Sequence, residues 1–229
     1  MLVRSFPAGV FGTNCYVLAA APGAECVVID PGMDAVGPLQ DVLAEDALKP
    51  VAVVLTHGHL DHTFSVVPVC SGYDIAAYIH PDDEPMLLDP VKWHGPTLAP
   101  IVAGMDIPEP DDLRLLVDDV VLDLAGVELT PGHAPGHTLG STVFHVALEE
   151  GPGLLSGDLL FAGSIGRVDL PGGSMSAMTA SLARVILPLD DATVVLPGHG
   201  PPTTIGRERA SNPYLQHLSA EPPVPRRNL

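Results

Sequence analysis

Seven residues, Thr56-His57-Gly58-His59-Leu60-Asp61-His62, follow directly on an uninterrupted apolar run, Val51 to Leu55. The run is too short for a buried helix and suits a strand covered on both faces. Where the chain leaves that strand it carries three imidazoles and a carboxylate within six residues. Imidazole nitrogen and carboxylate oxygen are the donors that zinc, iron and manganese accept, and a period of two lets His57 and His59 face the same way. A polar turn rich in histidine would have to satisfy each ring separately, whereas one shared cation satisfies them together. The fold therefore has to bring further donors to the end of this strand.

Three later segments have the same form, a strand-like run followed by Gly or Pro and a potential ligand. They are Thr130-Pro131-Gly132-His133-Ala134-Pro135-Gly136-His137-Thr138, then Leu155-Ser156-Gly157-Asp158, then Val195-Leu196-Pro197-Gly198-His199-Gly200. Ligands at several strand ends can converge on one rim, where loops leave room for a substrate. Further strands are expected at Leu2 to Phe6, Cys15 to Ala20, Cys26 to Ile29, Ile75 to Ile79, Ser141 to Leu148 and Thr193 to Leu196, with Val120 to Leu122 paired to Val127 to Thr130. Helices are expected from an N-cap at Asp34 through about Leu48, after His62, and from a cap at Ser174 through Leu187. Lys92 to Asp112, with four prolines, reads as a long loop of the kind that serves as a functional lid or is mobile. Strands run together at both ends of the chain, so a two-sheet core flanked by helices, an α/β fold of the α+β type, fits better than a regular βα repeat. Residues 1–220 read as one domain and residues 221–229, with three prolines, as a flexible tail.

Composition narrows the partners. With 46% apolar and only 17% charged residues the chain is not disordered. Acidic residues outnumber basic ones 28 to 10, a formal charge of -18, and lysine occurs only at Lys49 and Lys92. Such a surface repels phosphate backbones and anionic headgroups, which argues against nucleic-acid and membrane partners. No uncharged apolar run approaches the ~20 residues of a spanning helix. Pro7, Gly9, Gly12, Thr13 and Asn14 break the first apolar stretch, which reads as a strand and turn rather than a signal peptide. Cys15, Cys26 and Cys70 show no CxxC spacing and read as buried apolar residues in a reducing cytoplasm.

In their order and spacing, HxHxDH, PGHT, GD followed by LFAGSIGRVDLPGG, and LPGHG with a downstream Asn212-Pro213 resemble the metallo-β-lactamase superfamily. Within it the GRVDLPGG stretch and the LPGHG end are similar to the glyoxalase II (hydroxyacylglutathione hydrolase) branch. The resemblance starts at Asp30-Pro31-Gly32 and covers almost the whole chain. It implies an αββα sandwich with the site along one edge of the two sheets. It also implies that His57, His59 and His137 hold one metal, that Asp61, His62 and His199 hold a second, and that Asp158 bridges them. His137 is preferred to His133 because His137-Thr138-Leu139-Gly140-Ser141 continues the family's PGHTxGS; His133 is left to orient a ligand or shape the loop.

The activity implied is hydrolysis of a small-molecule thioester by two divalent ions, zinc foremost, with iron or manganese as alternatives. Two such ions ~3.5 to 4 Å apart lower the pKa of bound water toward ~7, and Asp61 and Asp158 are the catalytic carboxylates of that centre. A thiolate leaves without a strong acid. Arg167 and Tyr16 are the expected substrate contacts, with an Arg167 to Asp169 ion pair as the alternative use of that arginine. Val168 stands where the branch usually has Thr or Ser. Trp93, His94 and Tyr214 are further candidates for the pocket wall, His80, His145 and His217 read as ordinary surface or strand residues, and Asp82 to Glu84 reads as the acidic first turn of a helix with no further role. Between His199 and the tail, Arg207 and Arg209 are the only basic residues that could stand in for the branch's glutathione contacts, so weak binding of S-lactoylglutathione is expected. Other readings are a mononuclear iron persulfide dioxygenase using His57, His137 and Asp158, a hydrolase of another ester, lactone or phosphodiester, and a metal-binding module without catalysis.

Overall fold

Side-chain alternation along the N-terminal strands sets the layers. In the computed structural model, which describes residues 1–93 and 107–218, the first strands are β1 (Leu2–Ala8), β2 (Thr13–Ala19), β3 (Glu25–Ile29) and β4 (Lys49–Val54). Cys15, Val17, Ala19, Cys26, Val28 and Val53 face one side, where Leu39 and Leu43 of α1 (Val36–Glu45) and Val66, Val69 and Cys70 of α3 (Val66–Tyr73) cover them. Their neighbours Tyr16, Leu18, Val27, Ile29, Ala52 and Val54 face the other side and meet a second sheet through Val127, Leu129, Phe144, Val146, Leu155 and Leu196. The outer face of that sheet, with Val143, Leu154 and Val195, is covered by Met178, Leu182, Ile186 and Ile205. The result is the αββα sandwich expected, built by the period-two rule applied twice.

The first sheet continues with β5 (Ala76–Ile79) and β6 (Leu113–Leu115) in the order β1-β2-β3-β4-β5-β6. β1 to β3 are antiparallel and β3 to β6 parallel. The second sheet comprises β7 (Leu122–Leu124), β8 (Val127–His133), β9 (Thr142–Leu148), β10 (Gly151–Gly157), β11 (Val194–Pro197) and β12 (Thr203–Thr204), in reverse chain order and antiparallel except for β10 with β11. Parallel neighbours end on the same edge, so Asp30 and Thr56 leave β3 and β4 together, as Asp158 and Gly198 leave β10 and β11. Backbone bonds from Thr142 N to Thr56 O (2.8 Å) and from Asn14 N to Gly198 O (2.7 Å) stitch those two edges into one rim.

Several expected boundaries shift for local reasons. Asp34 does not cap α1: it is left-handed (φ 56°), the cap position is Ala35, and the helix stops at Glu45 ahead of a left-handed Ala47. The chain after His62 is already helical, since α2 (Leu60–Thr63) starts inside the histidine motif. The strand expected at Val120 to Leu122 lies at Leu122–Leu124, because Asp119 (φ 59°) turns the chain and leaves Val120 and Val121 exposed. Ser174 caps α6 (Met175–Ser181) by accepting from Ala177 N, and a π-helical turn, Leu182–Ile186, continues it. The helix expected to open at Asp82 to Glu84 is α4 (Glu84–Leu88), whereas the sequence reading left out β6, β12, α5 (Pro90–Trp93) and α7 (Ile205–Ser211). Of the stretch from Lys92 to Asp112, Lys92 and Trp93 close α5 and residues 107–112 are irregular; residues 94–106, with His94, and the tail 221–229 lie outside the described residues. All three cysteines are buried and unbonded to one another, and no described helix is long and apolar enough to cross a membrane.

Phe144, between the sheets, is the largest fully buried side chain of the middle layer among the described residues. Phe144→Ala is expected to cost ~3–5 kcal/mol in urea unfolding, against less than ~0.5 kcal/mol for the exposed Tyr214→Ala.

Candidate metal centre

At the rim, a short chain of hydrogen bonds decides which ring nitrogens face inward. Asp30 Oδ1 accepts from Thr56 N (2.8 Å), and its Oδ2 accepts from the Thr56 hydroxyl (2.6 Å) and from His62 Nδ1 (2.9 Å). With its proton given to Asp30, Thr56 Oγ1 accepts from His57 Nδ1 at 3.0 Å. His137 Nδ1 donates to the Arg167 carbonyl at 2.7 Å. His57 and His137 are therefore held with Nδ1 protonated and Nε2 presenting a lone pair, and His62 with Nδ1 bonded to Asp30 and Nε2 turned inward, the arrangement in which outer partners set the orientation of a ligating histidine.

Those lone pairs meet. His137 Nε2 lies 2.7 Å from His59 Nδ1 and 3.2 Å from His57 Nε2. On the other side His62 Nε2 is 3.3 Å from His199 Nε2, and Asp61 Oδ2 is 3.2 Å from His199 Nε2 and 3.6 Å from His62 Nε2. Thr13 Oγ1 donates to Asp61 Oδ2 at 3.4 Å. Asp158 stands between the two groups, with Oδ1 3.4 Å from His62 Nε2 and Oδ2 3.5 Å from His137 Nε2 and 3.7 Å from His199 Nε2. It fits there because Gly198 has no side chain: a Cβ would lie 2.3 Å from Asp158 Oδ1.

The donor set fits divalent cations. Tetrahedral bonds of ~2.0–2.1 Å separate ligand atoms by about 3.3 Å, and the separations in the two groups run from 3.2 to 3.6 Å except for the closer His59–His137 pair at 2.7 Å. Asp158 Oδ1 is buried and accepts no hydrogen bond among the described residues, a costly state for a carboxylate oxygen that a cation would relieve. His57, His59 and His137 form one set within ligating reach, and Asp61, His62 and His199 another. Burial, reinforced by the surrounding imidazoles, holds His57 well below the usual histidine range and so keeps it neutral, as ligation requires. Burial opposes charge on His62 as well, but Asp61, Asp158 and Asp30 outweigh it and push that ring up. Burial likewise disfavours ionised Asp61 and Asp158, and the adjacent His62 prevails and holds both carboxyls down.

Other expected site residues are used differently. Tyr16 does not face a substrate: it is 4% exposed, shares the inter-sheet face with Leu18, and donates its hydroxyl to Pro197 O at 2.8 Å. The Arg167 guanidinium is spent on Asp169 (2.7 and 2.8 Å) at the surface, which is the ion-pair alternative, while its carbonyl orients His137. Trp93 donates Nε1 to Pro85 O, and Tyr214 is exposed. His133 shapes the loop, donating Nε2 to Leu139 O (2.8 Å) with its ring stacked on His80 at 4.0 Å. His80, Asp82 and His133 also lie within ligating reach, but His80 Nδ1 accepts from Asp82 N, His133 Nε2 is committed to Leu139, and nearly parallel rings (11°) do not aim their lone pairs at one point.

Two buried carboxylates escaped the sequence reading. Asp83 lies in the acidic run expected to need no role, yet it is fully buried and accepts from Gly58 N, Gly140 N and the Thr138 hydroxyl. Glu208, also buried, accepts from Gly163 N (2.7 Å), Thr203 Oγ1 (2.6 Å) and Asn212 Nδ2 (2.9 Å), and Asn212 donates to Ser164 O (3.0 Å), which braces the loop after Asp158. The Asn-Pro downstream of the last histidine was the one hint of this second bracket.

A Mycobacterium leprae protein of uncharacterized function is 48% identical over 95% of this chain and 100% of its own length. The hydroxyacylglutathione hydrolase GloC of Haemophilus influenzae is 30% identical over 96% of this chain and 100% of its own. Among solved structures, the BLEG-1 B3 metallo-beta-lactamase superposes with a TM-score of 0.80 at 35% identity, covering 93% of this chain and 99% of its own. TTHA1623 in a di-iron-bound form gives 0.74 at 36% identity over 93% and 100%. ETHE1 from Myxococcus xanthus, at 22% identity and 0.75 over 96% and 87%, shares the fold. The sequence model described as Metallo-beta-lactamase superfamily matches residues 8–199, from the end of β1 to the last histidine of the rim, and the chain belongs to that superfamily.

Proposed function

We propose that this chain is a binuclear metal-dependent hydrolase of a small-molecule thioester, similar to glyoxalase II. The observation that carries the reading is the completeness of the second donor group: Asp61, His62 and His199 converge as well as the three histidines do, with Asp158 between the groups. A mononuclear enzyme needs only one of them. In this reading His57, His59 and His137 would hold one ion and Asp61, His62 and His199 the other, with Asp158 between the groups as a ligand for either. Zinc suits the nitrogen-rich donors, and the di-iron form of the 36% identical TTHA1623 makes iron the alternative. The hydroxyacylglutathione hydrolase name of the Haemophilus relative supports the thioester class.

Divalent ions bound here would supply Lewis acidity toward the thioester carbonyl and lower the pKa of water. The chain's own part is preorganisation. Asp30, Thr56 and the Arg167 carbonyl fix three ring orientations, and Thr13 steadies Asp61. Asp61, the more exposed of the two catalytic carboxylates, would serve as a ligand of the second ion, its Oδ2 held 3.2 Å from His199 Nε2. The C–S bond then breaks and the thiolate departs, needing no acid from the protein. Three apolar clusters running continuously through both sheets support one domain over residues 1–220. Free buried cysteines suit a cytoplasmic location, and the charge of -18 suits a small-molecule rather than a nucleic-acid or membrane partner.

The ligand assignment predicts that His137→Ala loses at least one metal per chain and nearly all activity. His133→Ala keeps two metals and costs at most the ~10- to 100-fold of an orienting neighbour, read by elemental analysis and thioester assay. The activity predicts about two metals per chain by the stoichiometry of such sites and thioester hydrolysis that continues without oxygen. One iron per chain with oxygen uptake driven by glutathione persulfide would install the dioxygenase reading instead.

A further inference from the structure

We propose that Asp83 is a positioning residue for the three-histidine group, a buried clamp that fixes the His57–His59 turn against the His137 loop without touching either a metal or a substrate. The inference rests on the metal-centre reading above but not on the identity of the substrate. Asp83 precedes α4 and is 0% exposed. Its Oδ2 accepts from Gly58 N at 3.0 Å and from Thr138 Oγ1 at 2.6 Å, and its Oδ1 accepts from Gly140 N at 2.6 Å. Gly58 lies between His57 and His59, and Thr138 follows His137. One carboxylate thus bonds both ligand-bearing loops, 25 and 55 residues away along the chain.

Two glycines make the approach possible. A Cβ on Gly58 would lie 2.6 Å from Met86 Cβ and 3.0 Å from Asp83 O, and a Cβ on Gly140 would lie 2.7 Å from Asp83 N and 2.8 Å from its Cγ. Both are absent side chains in histidine motifs, pressed against the same short segment. The remaining polar residues of the second motif serve the same contact: Ser141 Oγ accepts from Thr138 N (3.0 Å) and meets Thr138 Oγ1 (2.7 Å), which leaves the Thr138 proton for Asp83. A buried carboxylate with three donors is strongly localised, and removing it strands those donors.

The clamp acts on one donor group. The contacts His59 Nδ1 to His137 Nε2 and His57 Nε2 to His137 Nε2 span the two loops that Asp83 joins. Asp61, His62 and His199 are held instead by Thr13, by Asp30 and by the Asn14 contacts to Pro197 O and Gly200 O around His199. The backbone bond from Thr142 N to Thr56 O survives any change at Asp83, so the loops stay attached while their relative register loosens.

Asp83→Asn is the test, because an amide of the same shape must turn its NH2 toward at least one of the three donors. Purified full-length variants are titrated with cobalt(II), and the visible ligand-field spectrum is read together with thermal unfolding. The expected result is a folded protein in which one cobalt binds as in wild type and the other binds ~10- to 100-fold more weakly with an altered spectrum. Thr138→Val, which removes one leg of the clamp, moves in the same direction and serves if Asp83→Asn does not fold. Asp82→Asn, on the exposed neighbour, leaves both unchanged. If Asp83→Asn and Thr138→Val bind two cobalt ions with wild-type affinity and spectrum while only the melting temperature falls, Asp83 merely supports the fold and the proposal is overturned. A wild-type chain that binds no cobalt overturns the metal reading along with it, whereas absent thioester turnover with the expected cobalt result overturns only the substrate class.

Discussion

Ring nitrogens held 2.7 to 3.3 Å apart within two groups, at a largely buried edge of the sandwich, are the constraint from which the rest of the site follows. Ring nitrogens and carboxylate oxygens brought that close repel, or share too few protons, unless positive charge sits among them. The protein invests heavily in the arrangement. Asp30 adopts a left-handed backbone at the end of β3, and its carboxylate is consumed in fixing Thr56 and His62. Folding thus aims the donors and leaves the balancing charge to a cation.

Layer geometry explains why the donors come from so many parts of the chain. His57 follows β4 beside its parallel neighbour β3, which leads into Asp30, and Asp158 and His199 follow the parallel neighbours β10 and β11. His137 follows β8, which runs in the direction of β10 with β9 between them, so all these C-terminal ends reach one edge. The two sheets then face each other across Phe144 and its apolar neighbours, and their edges close the rim through two backbone bonds. Ligand convergence is a product of strand direction and of the short helix α2 that carries Asp61 and His62, and brackets such as Asp83 and Glu208 support it from outside the sheets.

The legibility of this design in the sequence follows from how local each feature is. His57, His59, Asp61 and His62 stand together after one apolar strand, so the metal-centre hypothesis needed no tertiary knowledge. Tyr16 was misread as a pocket residue although strand parity groups it with Leu18 in the core, and its position near a glycine-rich turn carried no contrary information. Asp34 looked like a helix cap because its residue type favours caps, but it is spent in a left-handed turn one step earlier. Asp83 was illegible for a different reason: Asp82 and Glu84 beside it are the same chemistry, and only the distant Gly58, Thr138 and Gly140 distinguish it. Buried polar brackets are written in pairs separated by tens of residues, which a single sequence read along its length does not reveal.

Anomalous diffraction from crystals of the metal-loaded protein tests the central claim most directly. The account predicts two anomalous peaks ~3.5 to 4 Å apart, one bonded to His57, His59 and His137, the other to Asp61, His62 and His199, with a carboxylate oxygen of Asp158 within reach of both. A single peak, or two peaks with Asp158 turned away from either, would contradict it.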